Sequence, residues 1–164
     1  MSIERVVINS SPLITLFKSQ LAFLLPQLFT EILVPEAVWE EVVGVDKTDA
    51  ASSELPTASW VTRIQISEID SEIAAWGLGA GESEVLSIVL ERPNYHALID
   101  DLAARRCARS LEIPHLGSCG TIVLAKCREL ITSISSPIER LRDAGLWLSE
   151  DLVSRLKQQA GELE

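Results

Sequence analysis

Short apolar runs alternate along the chain with longer segments in which apolar residues recur every three or four positions. The runs at 6–8, 32–34 and 97–99 are entirely apolar, as is typical of strands buried on both faces of a parallel sheet. Further strands are predicted at 60–66, 113–116 and 146–148. The spacing between these runs predicts helices. We therefore predict an α/β fold in which helices cover both faces of a central parallel sheet.

Proline, glycine and serine residues mark where helices and turns should begin. Ser10 or Ser11 is expected to cap a first helix in which Pro12 occupies the first turn. Residues 44–59 predict a loop or a ragged helix, and 77–81 and 117–120 predict turns. The other helices are predicted at 21–28, 35–42, 69–76, 82–89, 102–111, 121–128, 137–142 and 149–156. A chain of 164 residues, 47% of them hydrophobic, favours one domain spanning 1–164, with the helical segment from about 137 onward packed on it.

Polar side chains follow two of the buried strands at the point where each strand ends. Asn9 comes directly after the first strand, and Asp100 and Asp101 come directly after the strand at 97–99. Ligands of open parallel sheets bind at the carboxyl ends of the strands, so these three residues are candidates for a binding site. Either aspartate could instead cap the helix that follows it.

Two glutamates lie on the apolar sides of predicted helices. Glu41 lies at spacings of three and four from Val38 and Val45, and Glu82 is aligned with Val85 one turn later. A carboxylate in such a position is costly to desolvate unless a cation or hydrogen bonds compensate it, and several acids at one sheet edge favour a divalent metal. Glu41 could instead be a partly exposed helix acid, and Glu82 could merely complement a helix dipole.

Charge and cysteine content narrow the class of protein. The net charge of −10 argues against a protein that binds nucleic acid over its whole surface, but it allows a local basic patch, an acidic metal site or a basic partner protein. Arg105, Arg106 and Arg109 could form such a patch, or could be solvent-facing charges that pair with acids such as Glu112. The three cysteines form no C-x-x-C pair, which fits a reducing cytosol.

No membrane segment is predicted. The apolar stretch 13–29 is interrupted by Lys18, Gln20, Pro26 and Gln27. We therefore expect a cytoplasmic protein.

Four motifs in order along the chain give the sequence a family resemblance. They are VVINSSPLI at 6–14, VPEAVWEE at 34–41, GLGAGESE at 77–84, and LIDD at 98–101 followed by Arg105 and Arg106. The later LGSCGT at 116–121 also matches. Together they resemble a prokaryotic PIN-like family, long of unknown function, that is related to the toxin ribonucleases of toxin–antitoxin systems. The resemblance implies an α/β/α sandwich with a central parallel sheet.

The resemblance also implies a metal-dependent ribonuclease activity. Active PIN domains hold Mg²⁺ or Mn²⁺ with three or four acids and cleave RNA. The matching positions here are Asn9, Glu41, Glu82 and either Asp100 or Asp101. Asp stands at the position of Asn9 in the PIN pattern. An amide oxygen can still bind a hard cation but adds no charge, so a lower metal affinity is expected.

Partners and rival functions follow from the same resemblance. It implies an RNA substrate with Ser11, Arg105, Arg106 and Arg109 as candidate contacts, a small antitoxin-like protein encoded alongside, and a homodimer. The alternative is a catalytically weak or silent binding module that acts through a protein partner, which Asn9 favours. A receiver-like domain is disfavoured because receivers need an acid pair after the first strand.

Overall fold

A parallel five-stranded sheet forms the centre of the protein. The computed structural model describes residues 3–44 and 46–162. The strands lie in the order β3-β2-β1-β4-β5, and every neighbouring pair is parallel. They are β1 (Arg5–Ile8), β2 (Glu31–Pro35), β3 (Thr62–Ile64), β4 (His96–Leu98) and β5 (His115–Leu116). Helices flank this sheet, so the predicted α/β/α sandwich with a central parallel sheet is confirmed.

The helices fill the connections between the strands. They are α1 (Ser10–Lys18), α2 (Leu25–Leu28), α3 (Glu36–Val43), α4 (Ala50–Glu54), α5 (Ser71–Ala74), α6 (Ala80–Glu91), α7 (Leu102–Ser110), α8 (Ser118–Cys127), α9 (Ser135–Asp143) and α10 (Glu150–Gln159). Two short 3-10 helices, Ala22–Leu24 and Leu55–Thr57, precede α2 and follow α4. No helix in the described ranges is long and apolar enough to cross a membrane.

The order of the strands places a crevice at the carboxyl ends of β1 and β4. The chain proceeds from β1 outward through β2 and β3, and then returns to the other side of β1 to form β4 and β5. Ile8 is in register with Leu98 across the central pair. The connections therefore leave these two neighbouring strands in opposite directions, and such a switch point is where open parallel sheets bind ligands.

Helix α6 is apolar on nearly all sides, and its first turn lies at that crevice. Val85, Leu86, Ile88 and Val89 are buried, and even Ser83 and Ser87 are shielded from solvent. A helix of this kind must be covered all round, and α6 packs against α3 and against β1, β2 and β4. Its first turn consequently lies at the sheet edge.

Several predicted elements differ from the structure. The strand predicted at 146–148 is irregular chain, because Leu146 is part of the cap that ends α9. Its N–H donates to Leu141 O and the N–H of Gly145 donates to Arg142 O, a Schellman pair that Gly145 allows with φ of 108°. The backbone of Leu146 is therefore committed to a helix end. The helix predicted at 21–28 divides into a 3-10 turn and the short α2, and the strand predicted at 60–66 shortens to β3.

Other boundaries move at the glycine-rich segments. The turn predicted at 117–120 is wrong for its last three residues, because α8 begins at Ser118 and includes Gly120. Asn9, and neither Ser10 nor Ser11, occupies the cap position of α1, and it makes no side-chain cap hydrogen bond there.

The guanidinium of Arg128 links the end of α8 to the segments that precede β1 and β2. It donates to Leu28 O and to Ile3 O, at 2.6 Å in each case. Both acceptors are backbone carbonyls near the amino ends of β1 and β2, so one side chain satisfies two groups that the sheet does not pair.

We predict that Arg128→Met lowers the free energy of unfolding by about 2 kcal/mol, because two charge-assisted hydrogen bonds are lost. Urea denaturation of the two proteins checks this. Arg106→Met, at an exposed position of α7, is the control and should change stability by less than about 0.5 kcal/mol. Equal losses in both variants would contradict the assignment.

Candidate active site

Asn9 lies at the base of the crevice with an amide that nothing satisfies. Its backbone N–H donates to Leu98 O at 3.1 Å, which ties the end of β1 to β4. The residue is 0% exposed, yet neither its Oδ1 nor its Nδ2 has a hydrogen-bond partner among the described residues. An orphaned buried amide costs roughly 1–3 kcal/mol, so its presence indicates a position built to contact a ligand, an ion or bound water.

Glu41 is held beside Asn9 by two donors from other elements. Ser10 Oγ donates to its Oε2 at 2.6 Å, and the Gly81 N–H donates to its Oε1 at 3.2 Å. The residue is exposed, so the expectation that it faces the apolar side of its helix is wrong. The reason is that these two donors hold the carboxylate at the sheet edge, where it stays hydrated. Val45, which entered that expectation, lies outside the described residues.

Gly81 brings the first turn of α6 into contact with both side chains. A Cβ atom on this residue would lie 2.8 Å from Glu41 Oε1 and 3.1 Å from Asn9 Oδ1. The missing side chain therefore lets the helix terminus approach them, and the positive end of the helix dipole faces the carboxylate.

Glu82 occupies the same turn of α6 but folds back on its own helix. Its Oε2 lies 2.6 Å from where a Cβ on Gly79 would be, and the residue is half-buried. An acid in the first turn is favourable with the helix dipole. Glu84, which the sequence did not single out, accepts a hydrogen bond from the Ala37 N–H at 3.2 Å and so joins α6 to the start of α3.

The two successive aspartates point to different places. Both carboxylate oxygens of Asp100 accept hydrogen bonds from Ser118, Oδ1 from its N–H at 2.8 Å and Oδ2 from its Oγ at 2.6 Å. Asp101 is exposed and caps α7, where its Oδ2 accepts from the Ala104 N–H at 2.9 Å. Asp100 thus faces the carboxyl edge of the sheet beside α8, whereas Asp101 satisfies its own helix.

Among the candidate RNA contacts, Arg105 is the one brought next to Asp100. Its Nη1 and Asp100 Oδ1 lie 3.0 Å and 2.8 Å from the position of a Cβ on Gly117, so both side chains pack over the same glycine. Arg105 Nε is buried without a hydrogen-bond partner in the described part of the chain. Arg106 and Arg109 are exposed on α7, and Ser11 is exposed on α1.

Cys119 lies near Asp100 and Arg105, and its thiol is neutral. Burial raises the pKa of Cys119 to about 12, the charge of Asp100 adds to the shift, and Arg105 opposes it. Since a nucleophile or metal ligand must be a thiolate, the chemistry of the site falls to oxygen and nitrogen groups.

The oxygen groups at this edge match a hydrated hard cation. Asn9 offers an unpartnered amide oxygen, and Glu41 and Asp100 offer carboxylates. Within residues 3–44 and 46–162, no three His, Cys, Asp or Glu side chains lie close enough together to hold a metal ion. Mg²⁺ is commonly bound through one or two carboxylates and keeps several waters, so the donor chemistry fits such an ion without a three-acid cluster.

Two serines in the site escaped the sequence reasoning. Ser10 is predicted above as a possible helix cap, and no sequence feature marks Ser118. The signal that could have found them is their position, since Ser10 is the second residue after β1 and Ser118 is the second residue after β5. The rule that selected Asn9 and Asp100 applies equally to these positions.

We predict that Gly117→Ala lowers the free energy of unfolding by roughly 1–3 kcal/mol, because its Cβ would meet a carboxylate that Ser118 holds fixed. Gly120→Ala is the matched control. Its Cβ would lie 3.6 Å from the nearest atom, and alanine gains up to about 1 kcal/mol over glycine within a helix. Urea denaturation should give changes of opposite sign, and equal changes would contradict the close approach at Gly117.

Comparison with known proteins places this chain in a family. A search of curated proteins finds no match to the chain. A family model described as a PIN domain matches residues 5–162, nearly the whole sequence. The resemblance drawn from the four motifs is thereby confirmed, and the parallel sheet flanked by helices agrees with it. The chain belongs to the PIN-domain family.

Proposed function

We propose that this protein is a Mg²⁺- or Mn²⁺-dependent ribonuclease that hydrolyses RNA phosphodiester bonds at the carboxyl edge of the sheet. The PIN-domain family suggests a nuclease-like function. The observation that carries the proposal is the buried, unpartnered amide of Asn9, which lies beside Glu41 and at the end of the strand next to Asp100. A structural site would have paired that amide.

We assign the metal to Asp100 and Asn9. Glu82, at the first turn of α6, is a third candidate ligand and would have to turn away from Gly79 to reach the ion. Asp100 is preferred over Asp101, because the carboxylate of Asp101 is engaged as the cap of α7. When bound, such an ion acts as a Lewis acid toward the phosphate and lowers the pKa of its bound water. Ser118 keeps both oxygens of Asp100 oriented for this role.

The side chains of the chain itself orient the reactants. Glu41, fixed by Ser10 and the Gly81 N–H, accepts a hydrogen bond from the attacking water and takes its proton. The water oxygen adds to phosphorus in line with the leaving oxygen, whose bond to phosphorus breaks and which then takes up a proton. Asn9 Nδ2 donates to a phosphate oxygen, and Arg105 offers its buried Nε–H to a neighbouring phosphate.

A second candidate function is a binding module with little or no catalysis. Asn9 supplies no charge where the PIN pattern has an acid, which weakens metal binding. Such a module would use the same edge to hold a partner.

The biological role that we propose is the toxin of a toxin–antitoxin pair. A small antitoxin-like protein would be its partner, and the toxin would be a homodimer. The net charge of −10 supports a basic partner surface, since opposite charge speeds and steers association.

Metal binding should stabilise the folded protein. We expect Mn²⁺ at about 100 times its Kd to raise Tm by roughly 5 to 10 °C over the protein in EDTA. Asn9→Asp should bind Mn²⁺ more tightly, because it restores one negative charge, and Glu82→Gln should remove the rise in Tm. Thermal denaturation across a Mn²⁺ titration measures all three. A wild-type Tm that does not respond to Mn²⁺ would favour the binding module.

The adjacent aspartates provide a matched pair for catalysis. Asp100→Asn should lower Mn²⁺-dependent cleavage of a mixed RNA pool by about two orders of magnitude. Asp101→Asn should stay within a few-fold of wild type, because asparagine caps a helix as well as aspartate does. The assay is gel analysis of end-labelled RNA with EDTA as the blank. If neither wild type nor Asn9→Asp cleaves any RNA in the pool, the binding module is the better reading.

A further inference from the structure

A cavity of about 560 Å³ opens beside Asp100, and the proposed reaction gives no role to its apolar part. We name it the α10 cavity, because α10, the loop before it, and the starts of α7 and α8 enclose it. Most of its wall is apolar, formed by residues such as Leu102, Leu148, Leu152 and Leu156. Its volume lies in the range of pockets that hold small organic groups.

One end of the α10 cavity is polar and contains an unsatisfied donor. Asp100 and Arg105 both line it. The oxygens of Asp100 already accept from Ser118, whereas Arg105 Nε is buried without a partner among the described residues. A buried guanidinium N–H without an acceptor is costly, so this end of the cavity calls for an acceptor group on a ligand.

An aromatic ring stands at the rim on a loop that is held at both ends. Trp147 is 83% exposed, and Leu102, which also lines the cavity, is 67% exposed. The Leu146 N–H bonds to Leu141 O on one side of Trp147, and Arg142 Nη2 donates to Leu148 O at 3.0 Å on the other. The ring is therefore presented to solvent from a fixed backbone, which reduces the entropy lost when a partner stacks on it.

We propose that the α10 cavity is a subsite for an unpaired nucleobase of the RNA strand, adjacent to the phosphate at Asp100. The proposal rests on the ribonuclease function proposed above. The base enters the apolar cavity, Trp147 stacks on it, and Arg105 Nε–H binds a phosphate oxygen or base carbonyl. A strand bound at Asp100 carries its next base toward this cavity, because Asp100 lines both places.

This subsite explains how a chain with a net charge of −10 can hold RNA. Stacking in an apolar pocket does not depend on a field of positive charge over the surface, so the base supplies affinity that the backbone electrostatics lacks. A base in a duplex cannot enter such a pocket. The specificity that follows is for single-stranded RNA.

The test measures base-dependent binding apart from cleavage. A fluorescein-labelled hexauridylate and a matched abasic ribose-phosphate oligomer are titrated with the full-length protein in EDTA, and anisotropy gives each Kd. Wild type should bind the hexauridylate more tightly. Trp147→Ala and Gly120→Leu should each weaken that binding by roughly 5- to 150-fold and leave the abasic oligomer unchanged.

The variants are chosen to keep the protein folded. Trp147 is exposed, and a Cβ on Gly120, which lines the cavity, meets no atom closer than 3.6 Å, so a side chain can begin there without displacing backbone. Far-UV circular dichroism and urea denaturation of both variants check that they fold as wild type does. Phe23→Ala is the control, because Phe23 is a 53%-exposed aromatic residue that lines a different cavity. It should bind both oligomers as wild type does.

Cleavage of single-stranded RNA in Mn²⁺ by the same variants separates the two proposals. If wild type cleaves and Trp147→Ala and Gly120→Leu bind and cleave equally well, the subsite is overturned while the ribonuclease stands, and a protein partner becomes the better occupant. A hexauridylate bound no more tightly than the abasic oligomer overturns it as well. Base-dependent binding that both variants lose supports the subsite, even if wild type and Asn9→Asp cleave nothing and the catalytic proposal fails.

Discussion

The hydrogen bond from the Asn9 N–H to Leu98 O sets the geometry on which the site depends. It extends the β1–β4 pairing one residue past the end of β1, at the place where the chain reverses its winding across the sheet. The bond fixes the backbone of Asn9, and the side chain of Asn9 lies at the carboxyl edge of the sheet. Ser10, the next residue, and Asp100, two residues after Leu98, take their positions from the same pairing.

The carboxylates of the site are held by neutral donors. Glu41 is bound by a serine hydroxyl and a backbone N–H, and Asp100 by the N–H and hydroxyl of one serine. Neither acid is in a salt bridge within the described ranges. Hydrogen bonds of this kind orient a carboxylate and leave its full charge available to a cation, whereas a bound lysine or arginine would neutralise it.

The buried strands could be predicted from the sequence, because the run of apolar residues that indicates each one lies within a few positions of the chain. Entirely apolar runs such as 6–8 are typical of strands covered on both faces. Strand β1 contains the run 6–8, and β4 overlaps the run 97–99. The strand predicted at 146–148 is wrong, because the N–H of Leu146 is bound in the Schellman end of α9 through Gly145, and the hydrophobicity of the sequence does not indicate that bond.

The choice between Asp100 and Asp101 shows why site geometry is harder to predict. Both follow the same strand, and each is suited to cap a helix. Which one turns to the sheet edge is decided by Ser118, whose N–H and hydroxyl lie 18 residues further along the chain. Glu41 is oriented by Gly81, 40 residues away, through the approach of a backbone that only a missing side chain permits. Neither partner leaves a periodic signal near the acid.

Asparagine at position 9 lowers the electrostatic cost of folding when no cation is bound at the site. The side chain is fully buried and lies close to Glu41, since both side chains approach the same point on Gly81. An aspartate there would be a buried charge facing a like charge, which is costly to ionise unless a cation is present. The amide avoids that repulsion at the expense of one ligand charge. Folding of the protein therefore needs no cation to relieve a repulsion at this point. In the ribonuclease proposed above, contacts with RNA away from Asn9 and Glu41 would have to supply the affinity that the amide gives up.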